Sequence, residues 1–235
     1  MGNLCEVQES RDLHEINEES RPSLKIQRNE RRPVGNTAES YFISNVDSMV
    51  PEVRQLFEAF LPAYKLSAVR IVRKDLDSQS IAHLNALFSF AKTIETIEFV
   101  RCFLTQESLG QLLPALRSLQ SLRKLCLPSN DLRDEGVLLL AKDLETMKKL
   151  EELVLDDNQI TTRGAGALAQ CFPICPILRS VWLQRNKIDE AGLLALINWA
   201  HRGNIRELQL QNNLFPLKNL PNKEGVKVLV DLARE

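Results

Sequence analysis

One short pattern of apolar residues recurs along the chain at a nearly constant spacing. The stretch from Leu122 to Leu132 reads L-x-x-L-x-L-x-x-N-x-L. The same order returns 28 residues later at 150–160 and again at 178–188, and a further copy at 205–215 falls one residue short of that spacing. Self-similarity at a fixed period indicates a stack of repeated units, because each unit then contacts only its neighbours.

Each copy predicts a short strand followed by a helix. The central L-x-L pair alternates apolar with polar residues, as in a strand that buries one face. Residues 134–144 then carry apolar side chains at helical spacing, and the acidic Asp134 and Glu135 at their start complement the helix dipole. Thr161 and Asp189 hold comparable entry positions in the next two copies. Since no single unit can bury its apolar face alone, the units must stack.

The polar residue after each predicted strand predicts a ladder of hydrogen bonds between repeats. An asparagine side chain carries both a donor and an acceptor, so it can bond the turns above and below it. A thiol donates only weakly, so we expect the one cysteine position to be looser. The ladder positions are Cys102, Asn130, Asn158, Asn186 and Asn213.

Two further copies stand upstream, at 94–104 and 66–76, which brings the number in register to six. The pattern L-x-x-L-x-L-x-x-N/C-x-L resembles that of the leucine-rich repeat family. The 28-residue period and the helical second halves are similar to its ribonuclease-inhibitor-like subclass. The resemblance covers about 66–235 and implies an α/β solenoid, with a parallel sheet on its concave side and helices on its convex side. Lys74 departs from the pattern, which puts the ladder contact of the first copy in doubt.

The remaining segments differ from the repeats in composition. Residues 1–40 hold few large apolar groups and many Glu, Arg, Ser and Asn, so we expect a disordered tail. Residues 41–65 predict a helical N-terminal cap, with a capped helix over 47–61. Within the repeat domain, 66–235, the segment 222–235 predicts a final helix with a polar outer side, because a solenoid needs such ends to stay soluble.

Net charge, cysteine content and apolar run lengths limit the cellular compartments and the partners that we expect for this chain. The formal net charge is −1, so no overall field draws the chain to nucleic acid or to an anionic membrane. Asp156 and Asp157 on the predicted concave face also argue against nucleic acid. Five cysteines do not form the dense, even framework of a small secreted domain, and no secretory signal or membrane-length apolar run is present. We therefore expect a protein of the reducing cytoplasm. We also predict that it is a monomer.

The first residues suggest a lipid anchor. Gly2 resembles an N-myristoylation site, and Cys5 offers a thiol for a second acyl chain. Stable anchoring takes two signals, and a basic cluster is the other source of the second one: Lys25, Arg28, Arg31 and Arg32. Glu6 stands where the usual motif has Ser or Thr, so an unmodified start is the competing interpretation.

Two motifs invite catalytic or metal-binding interpretations that the repeat explains better. Gly164-x-Gly166-x-x-Ala169 matches a dinucleotide fingerprint, but such a fingerprint begins directly after its strand, and here the predicted strand ends near Asp156. The pair at 171 and 175 lacks the second pair of ligands that a structural zinc site requires. With no catalytic motif in evidence, we predict a non-enzyme that holds no metal and no cofactor.

Function is expected on the concave face. Period-two alternation turns Val181 and Leu183 inward and Trp182 outward, and exposed tryptophans are enriched at binding hot spots. The competing interpretation is that the indole lies flat on Val154 or Gln209. The residues predicted to bind a partner are Arg70, Arg73, Arg101, Asp156, Asp157, Trp182, Arg185 and Gln209.

The preferred function is a protein-interaction module, an adaptor or scaffold that binds a protein through a preformed concave surface. Two alternatives follow from family resemblance alone. Some ribonuclease-inhibitor-like repeat proteins are GTPase-activating proteins, which implies regulation of an enzyme in trans. Short solenoids of this kind are also similar to the actin-end-binding region of tropomodulins, which implies a cytoskeletal role.

Overall fold

The computed structural model of the chain describes residues 26–28, 41–43, 66–215 and 226–229. Seven of its strands form one sheet in chain order, and every neighbouring pair is parallel. The first two strands of the chain, β1 (Ile26–Arg28) and β2 (Tyr41–Ile43), lie outside this sheet. The seven are β3 (Ala68–Val72), β4 (Thr96–Val100), β5 (Lys124–Cys126), β6 (Glu152–Val154), β7 (Ser180–Trp182), β8 (Glu207–Gln209) and β9 (Lys227–Leu229).

Helices alternate with these strands in the described part of the chain. They are α1 (Ser78–Phe90), α2 (Gln106–Arg117), α3 (Arg133–Leu144), α4 (Thr162–Cys171), which continues into a 3-10 turn (Phe172–Ile174), and α5 (Glu190–Ala200). Each helix packs on the next helix in sequence, as each strand pairs with the next strand. The predicted α/β solenoid is therefore confirmed, with sheet and helices as its two layers.

The core lies between the two layers and is built from equivalent apolar residues. Leu125, Leu153 and Val181 are fully buried and stand opposite one another in the register of β5, β6 and β7. Because the same position is apolar in each copy, the buried row is continuous from repeat to repeat. Burial of a leucine side chain stabilises a fold by roughly 1.5–3 kcal/mol, so the row supplies much of the stacking energy.

The helix starts follow the sequence prediction closely. Thr161 accepts a hydrogen bond from the Arg163 amide and caps α4, and Asp189 accepts one from the Gly192 amide and caps α5. At α3 the cap residue is Leu132, which offers no side-chain acceptor, so this helix begins without a side-chain cap.

The asparagine ladder exists, but the Asn186 side chain bonds its own repeat and the preceding one, and not the following one. Asn186 Oδ1 accepts hydrogen bonds from the amides of Asn158 and Ile160 in the preceding repeat, both at 3.0 Å. Its Nδ2 donates to the carbonyl of Leu155, again in the preceding repeat, and to that of Leu183 in its own, both at 3.0 Å. The expectation of bonds to the turns above and below is corrected, because donor and acceptor are both used on the earlier turn.

Two ladder positions depart from this arrangement. Cys102 Sγ donates to the Ile71 carbonyl at 3.4 Å, a weak bond that matches the looser rung expected there. Asn158 Oδ1 is enclosed without a hydrogen-bond partner. The preceding turn takes a different path, since Arg133 adopts a left-handed conformation and its amide donates instead to the Asn158 carbonyl.

In the described repeats, the turn that follows each strand from β3 to β8 contains a left-handed residue, a feature that the sequence did not signal. The residue before each of the five ladder positions, and the one before Lys74 in the first copy, has φ between 54° and 59°: Arg73, Arg101, Ser129, Asp157, Arg185 and Asn212. The Asp157 amide still donates to the Gln184 carbonyl of the next repeat, at 2.8 Å. The left-handed turn thus ends the strand without losing a bond between repeats.

The segments outside the repeats require corrections. Lys227–Leu229 forms β9 where a final helix over 222–235 was predicted, because Val228 packs on the core opposite Leu208 and continues the sheet. Ile26–Arg28 is a strand inside the predicted disordered tail, and it pairs antiparallel with Tyr41–Ile43 inside the predicted helical cap.

The rest of these predictions falls outside the described residues. That holds for the remainder of 1–40 with Gly2 and Cys5, for the helix over 47–61, and for most of 222–235. In the described ranges, no helix combines the length and the apolar character needed to cross a bilayer.

Candidate functional site

The outer face of the sheet carries a row of side chains that the strand register aligns. The row consists of Arg70, Glu98, Cys126, Val154, Trp182, Gln209 and Leu229. Each of its members in β3 to β8 alternates with a fully buried residue on the helix side. Three residues predicted from sequence, Arg70, Trp182 and Gln209, therefore lie on this concave face.

The centre of the row is apolar. Cys126 and Val154 are each 6% exposed, and Trp182 beside them is half-buried. The indole Nε1 of Trp182 is enclosed and donates to no group of the described chain. An enclosed donor without an acceptor costs about 1–3 kcal/mol, so the indole is held in a position that leaves its polar atom unsatisfied.

Charges on either side of this centre are paired across neighbouring strands. The pairs are Arg70–Glu98 at 3.1 Å, Lys124–Glu152 at 3.0 Å and Lys227–Glu207 at 3.7 Å. Such pairs contribute little to stability when partly exposed, but they neutralise the face. The pairing brings the sheet surface close to neutral.

Gln209 is held by a short chain of side-chain bonds. Its Oε1 accepts from Gln184 Nε2 at 2.7 Å, and its own Nε2 donates to Glu207 Oε1 at 3.3 Å. Because Gln209 is opposite Trp182 in the strand register, the indole has a hydrogen-bonded polar side chain on one side. The other flank is Val154.

Asp156 is an ionisable residue that lies two residues after Val154 in the chain. Its Oδ1 accepts a hydrogen bond from the Gln184 amide at 2.7 Å. Burial raises the pKa of the carboxyl to about 6, although this hydrogen bond and the nearby Arg185 oppose the rise. A carboxyl with this pKa changes charge in the mildly acidic range. The concave face therefore contains a proton-sensitive group two residues from Val154.

The other predicted site residues lie beyond the strand ends. Arg73, Arg101, Asp157 and Arg185 are exposed, and all four occupy the left-handed turn positions. They line the edge of the sheet where the strands end and the helices begin. The 28-residue repeat marks them as equivalent positions, but the rule that places alternate residues on one face stops at the end of the strand, so strand alternation does not give the direction of their side chains.

The glycines of the fingerprint-like motif have a packing role. Asp134 Oδ1 accepts from the Gly164 amide at 3.0 Å and from the Thr161 amide at 2.8 Å. A Cβ at Gly164 would lie 2.5 Å from that oxygen and 2.8 Å from Ile160 Cγ2. Gly164 thus allows one repeat to approach the next. At Gly166 a Cβ would meet nothing within 4 Å.

The described cysteines do not assemble a metal site. Cys102, Cys126, Cys171 and Cys175 are buried and unbridged, and no group of three or more His, Cys, Asp or Glu side chains comes together in the described ranges. Burial raises the pKa of the Cys175 thiol to about 11. Since the thiolate is the reactive and metal-binding form, these groups are poorly suited to either role.

Comparison with known proteins agrees with the repeat assignment. A model of the leucine-rich repeat family matches residues 118–141 and 146–169, which hold β5 with most of α3 and β6 with most of α4. The chain thus contains leucine-rich repeats, and its described part is an α/β leucine-rich-repeat solenoid. No curated protein matches the chain significantly.

Among solved structures, the chain is similar to an internalin from Listeria monocytogenes at 15% identity and a TM-score of 0.32. The match covers 67% of this chain and 57% of the internalin, so the chain spans little more than half of that structure.

Proposed function

We propose that the chain is a non-catalytic interaction module, an adaptor or scaffold, that binds a protein partner on the concave face around Trp182. The observation that carries this proposal is the apolar centre of the sheet. Cys126, Val154 and Trp182 follow one another across three adjacent strands, on the side of the sheet opposite the row of fully buried leucines and valines. Large aromatic anchors at the middle of a surface are the residues on which protein interfaces depend most.

The surroundings of Trp182 suit binding with little reorganisation. The strands are held by the ladder, and Gln209 beside the indole is fixed by its bonds to Gln184 and Glu207. A rigid surface loses little conformational entropy on association, so more of the contact energy appears as affinity. The unsatisfied Nε1 supports the proposal further, because a turn of the ring toward an acceptor on the partner would relieve a cost already present.

Trp182 and Trp199 offer a matched pair for the test. Trp199 is also half-buried, but it lies on α5 with the Arg202 guanidinium 5.0 Å from its ring centre. Partners recovered with the wild-type chain would be identified by mass spectrometry and their affinities measured for Trp182→Ala and Trp199→Ala. We expect Trp182→Ala to lose about 2 kcal/mol, roughly thirtyfold in affinity, and Trp199→Ala to bind nearly as wild type.

Equal binding by both variants would contradict the proposal, provided that circular dichroism shows both to be folded. Loss in the Trp199→Ala variant alone would contradict it as well, because the interface would then be on the helices.

The proposal extends to the subclass of leucine-rich repeat. We infer the ribonuclease-inhibitor-like subclass from the 28-residue period and from the full α-helix in each of the repeats between β3 and β8. The near-neutral sheet face favours a protein over nucleic acid as partner, since nucleic acid binding draws mainly on unpaired basic side chains.

For location, we propose the cytoplasm, with membrane association through acylation of Gly2 and Cys5. Incorporation of a clickable myristate analogue into the wild type and not into Gly2→Ala would support the anchor. Equal labelling of the two, or none in either, would contradict it. The experiment is independent of the Trp182 series.

A further inference from the structure

Beyond the concave face, the edge where β3 and β4 end brings two arginines and two exposed apolar side chains together. We name this surface the basic edge: Val72, Arg73, Arg101 and Phe103. Its residues belong to the last strand position or to the turn that follows, in two adjacent repeats. The basic edge lies three to four strand spacings, roughly 14–19 Å, from Trp182.

Its two arginines are neighbours without an acidic partner in the described chain. The Arg73 amide donates to the Val100 carbonyl at 2.9 Å, so the two turns run side by side. Equivalent positions of paired strands lie roughly 5 Å apart, and both side chains are exposed. The arginine of the next turn differs, because Arg133 is neutralised by Asp131 at 2.8 Å. Side chains that start from backbone positions this close can both reach one bound anion.

The apolar members of the edge are unusually open. Phe103 is 71% exposed and Val72 is 40% exposed. The positions equivalent to Phe103 in the next three repeats are polar: Asp131, Gln159 and Lys187. A phenylalanine in a left-handed turn is also conformationally unfavourable, with φ at 54°. Phe103 thus has neither a burial nor a backbone reason to be aromatic.

We infer that the basic edge binds an acidic segment of a protein partner, in which an apolar side chain covers Phe103 and flanking carboxylates pair with Arg73 and Arg101. Both guanidinium groups present planar donor forks that match carboxylates. The apolar component sets this surface apart from a purely electrostatic anion site, because water must leave Phe103 and Val72 when the segment binds. The inference rests on the proposed function in taking the partner to be a protein.

A model peptide tests this surface without the native partner. The probe is a fluorescein-labelled peptide in which glutamates flank a pair of leucines, titrated with the full chain and followed by fluorescence anisotropy. We expect the double variant Arg73→Gln/Arg101→Gln to bind about tenfold more weakly, and Phe103→Ser to lose a similar factor. Both changes are at exposed turn positions, so the fold should persist.

The chain offers a matched charge control. Arg179 and Arg206 are also exposed, lie in adjacent repeats and form no ion pair in the described ranges, but they precede β7 and β8 at the opposite edge. Arg179→Gln/Arg206→Gln removes the same charge, and we expect it to bind the peptide as wild type does. Replacing the leucines of the peptide by serine should weaken binding as much as Phe103→Ser.

Three results would overturn the inference. They are an absence of peptide binding to the wild type, an equal loss in the two double arginine variants, and undiminished binding of the serine peptide. Each of them would leave concave-face binding intact, because that proposal is judged by the Trp182 and Trp199 variants.

Discussion

The Asp134 carboxylate accepts a hydrogen bond from the Gly164 amide at 3.0 Å, so an acidic residue of one repeat caps the helix of the next. Thr161 completes the contact, with its amide at 2.8 Å and its hydroxyl at 2.6 Å from the two carboxylate oxygens. The solenoid is therefore joined by side-chain bonds in its helical layer as well as by the asparagine ladder at the sheet.

The close approach at Gly164 predicts an asymmetric response to alanine. Gly164→Ala should lower the free energy of unfolding by about 1–3 kcal/mol, because the new methyl group would overlap Asp134 Oδ1 and Ile160 Cγ2. Gly166→Ala, in the same helix, should be neutral or stabilise by up to about 1 kcal/mol. Urea unfolding followed by circular dichroism measures both. Equal effects of the two substitutions would show that the approach is not tight.

The ladder predicts a second contrast. Asn186→Ala removes five hydrogen bonds to backbone groups, four of them buried, and should cost about 2–4 kcal/mol. Cys102→Ala removes only weak thiol bonds and little volume, so about 1 kcal/mol is expected. The same urea titration applies. If Cys102→Ala were as destabilised as Asn186→Ala, the asparagine side-chain amides would not be the main source of the stability that the ladder provides.

Asp156 predicts a pH dependence of stability. Its pKa rises from 3.8 to about 6 on folding, so the folded chain holds a proton that the unfolded chain releases between these values. The contribution of Asp156 to stability therefore falls as pH rises from about 4 to 6. Asp156→Asn keeps the acceptor for the Gln184 amide, and its advantage over wild type should grow across that window and then level off.

The advantage of Asp156→Asn at neutral pH should reach about 1–2 kcal/mol once solvent screening is allowed for. Thermal unfolding from pH 4 to 7.5 measures it, and Asp157→Asn supplies the control for loss of one charge at an exposed neighbour. A difference between Asp156→Asn and wild type that stays constant with pH would contradict the buried carboxyl.

The strands and helices of the repeats could be predicted because the same pattern of apolar residues occurs in each copy. Leu125, Leu153 and Val181 mark the same buried position in three copies, and their spacing sets strand, turn and helix at once. β9 was missed because the spacing breaks after Asn213, which leaves Val228 outside any register that the sequence shows.

The site was less predictable for a different reason. Strand alternation places Trp182 on the sheet face, but it gives no direction for the side chain of Arg101, because the chain has by then left the strand in a left-handed turn. The bond from Gly164 to Asp134 joins residues 30 positions apart, and only the stacking of two repeats brings them together. Contacts of this kind follow from three-dimensional packing and not from local pattern.

The side of the solenoid that meets the partner can be measured directly by site-specific photo-cross-linking. The photoreactive amino acid p-benzoylphenylalanine would replace Ser180, which lies on the concave face two residues before Trp182, or Gln170, which is exposed on α4. With the partner recovered by the wild-type chain, we expect a covalent adduct from position 180 and none from position 170. An adduct from position 170 alone would contradict binding on the concave face.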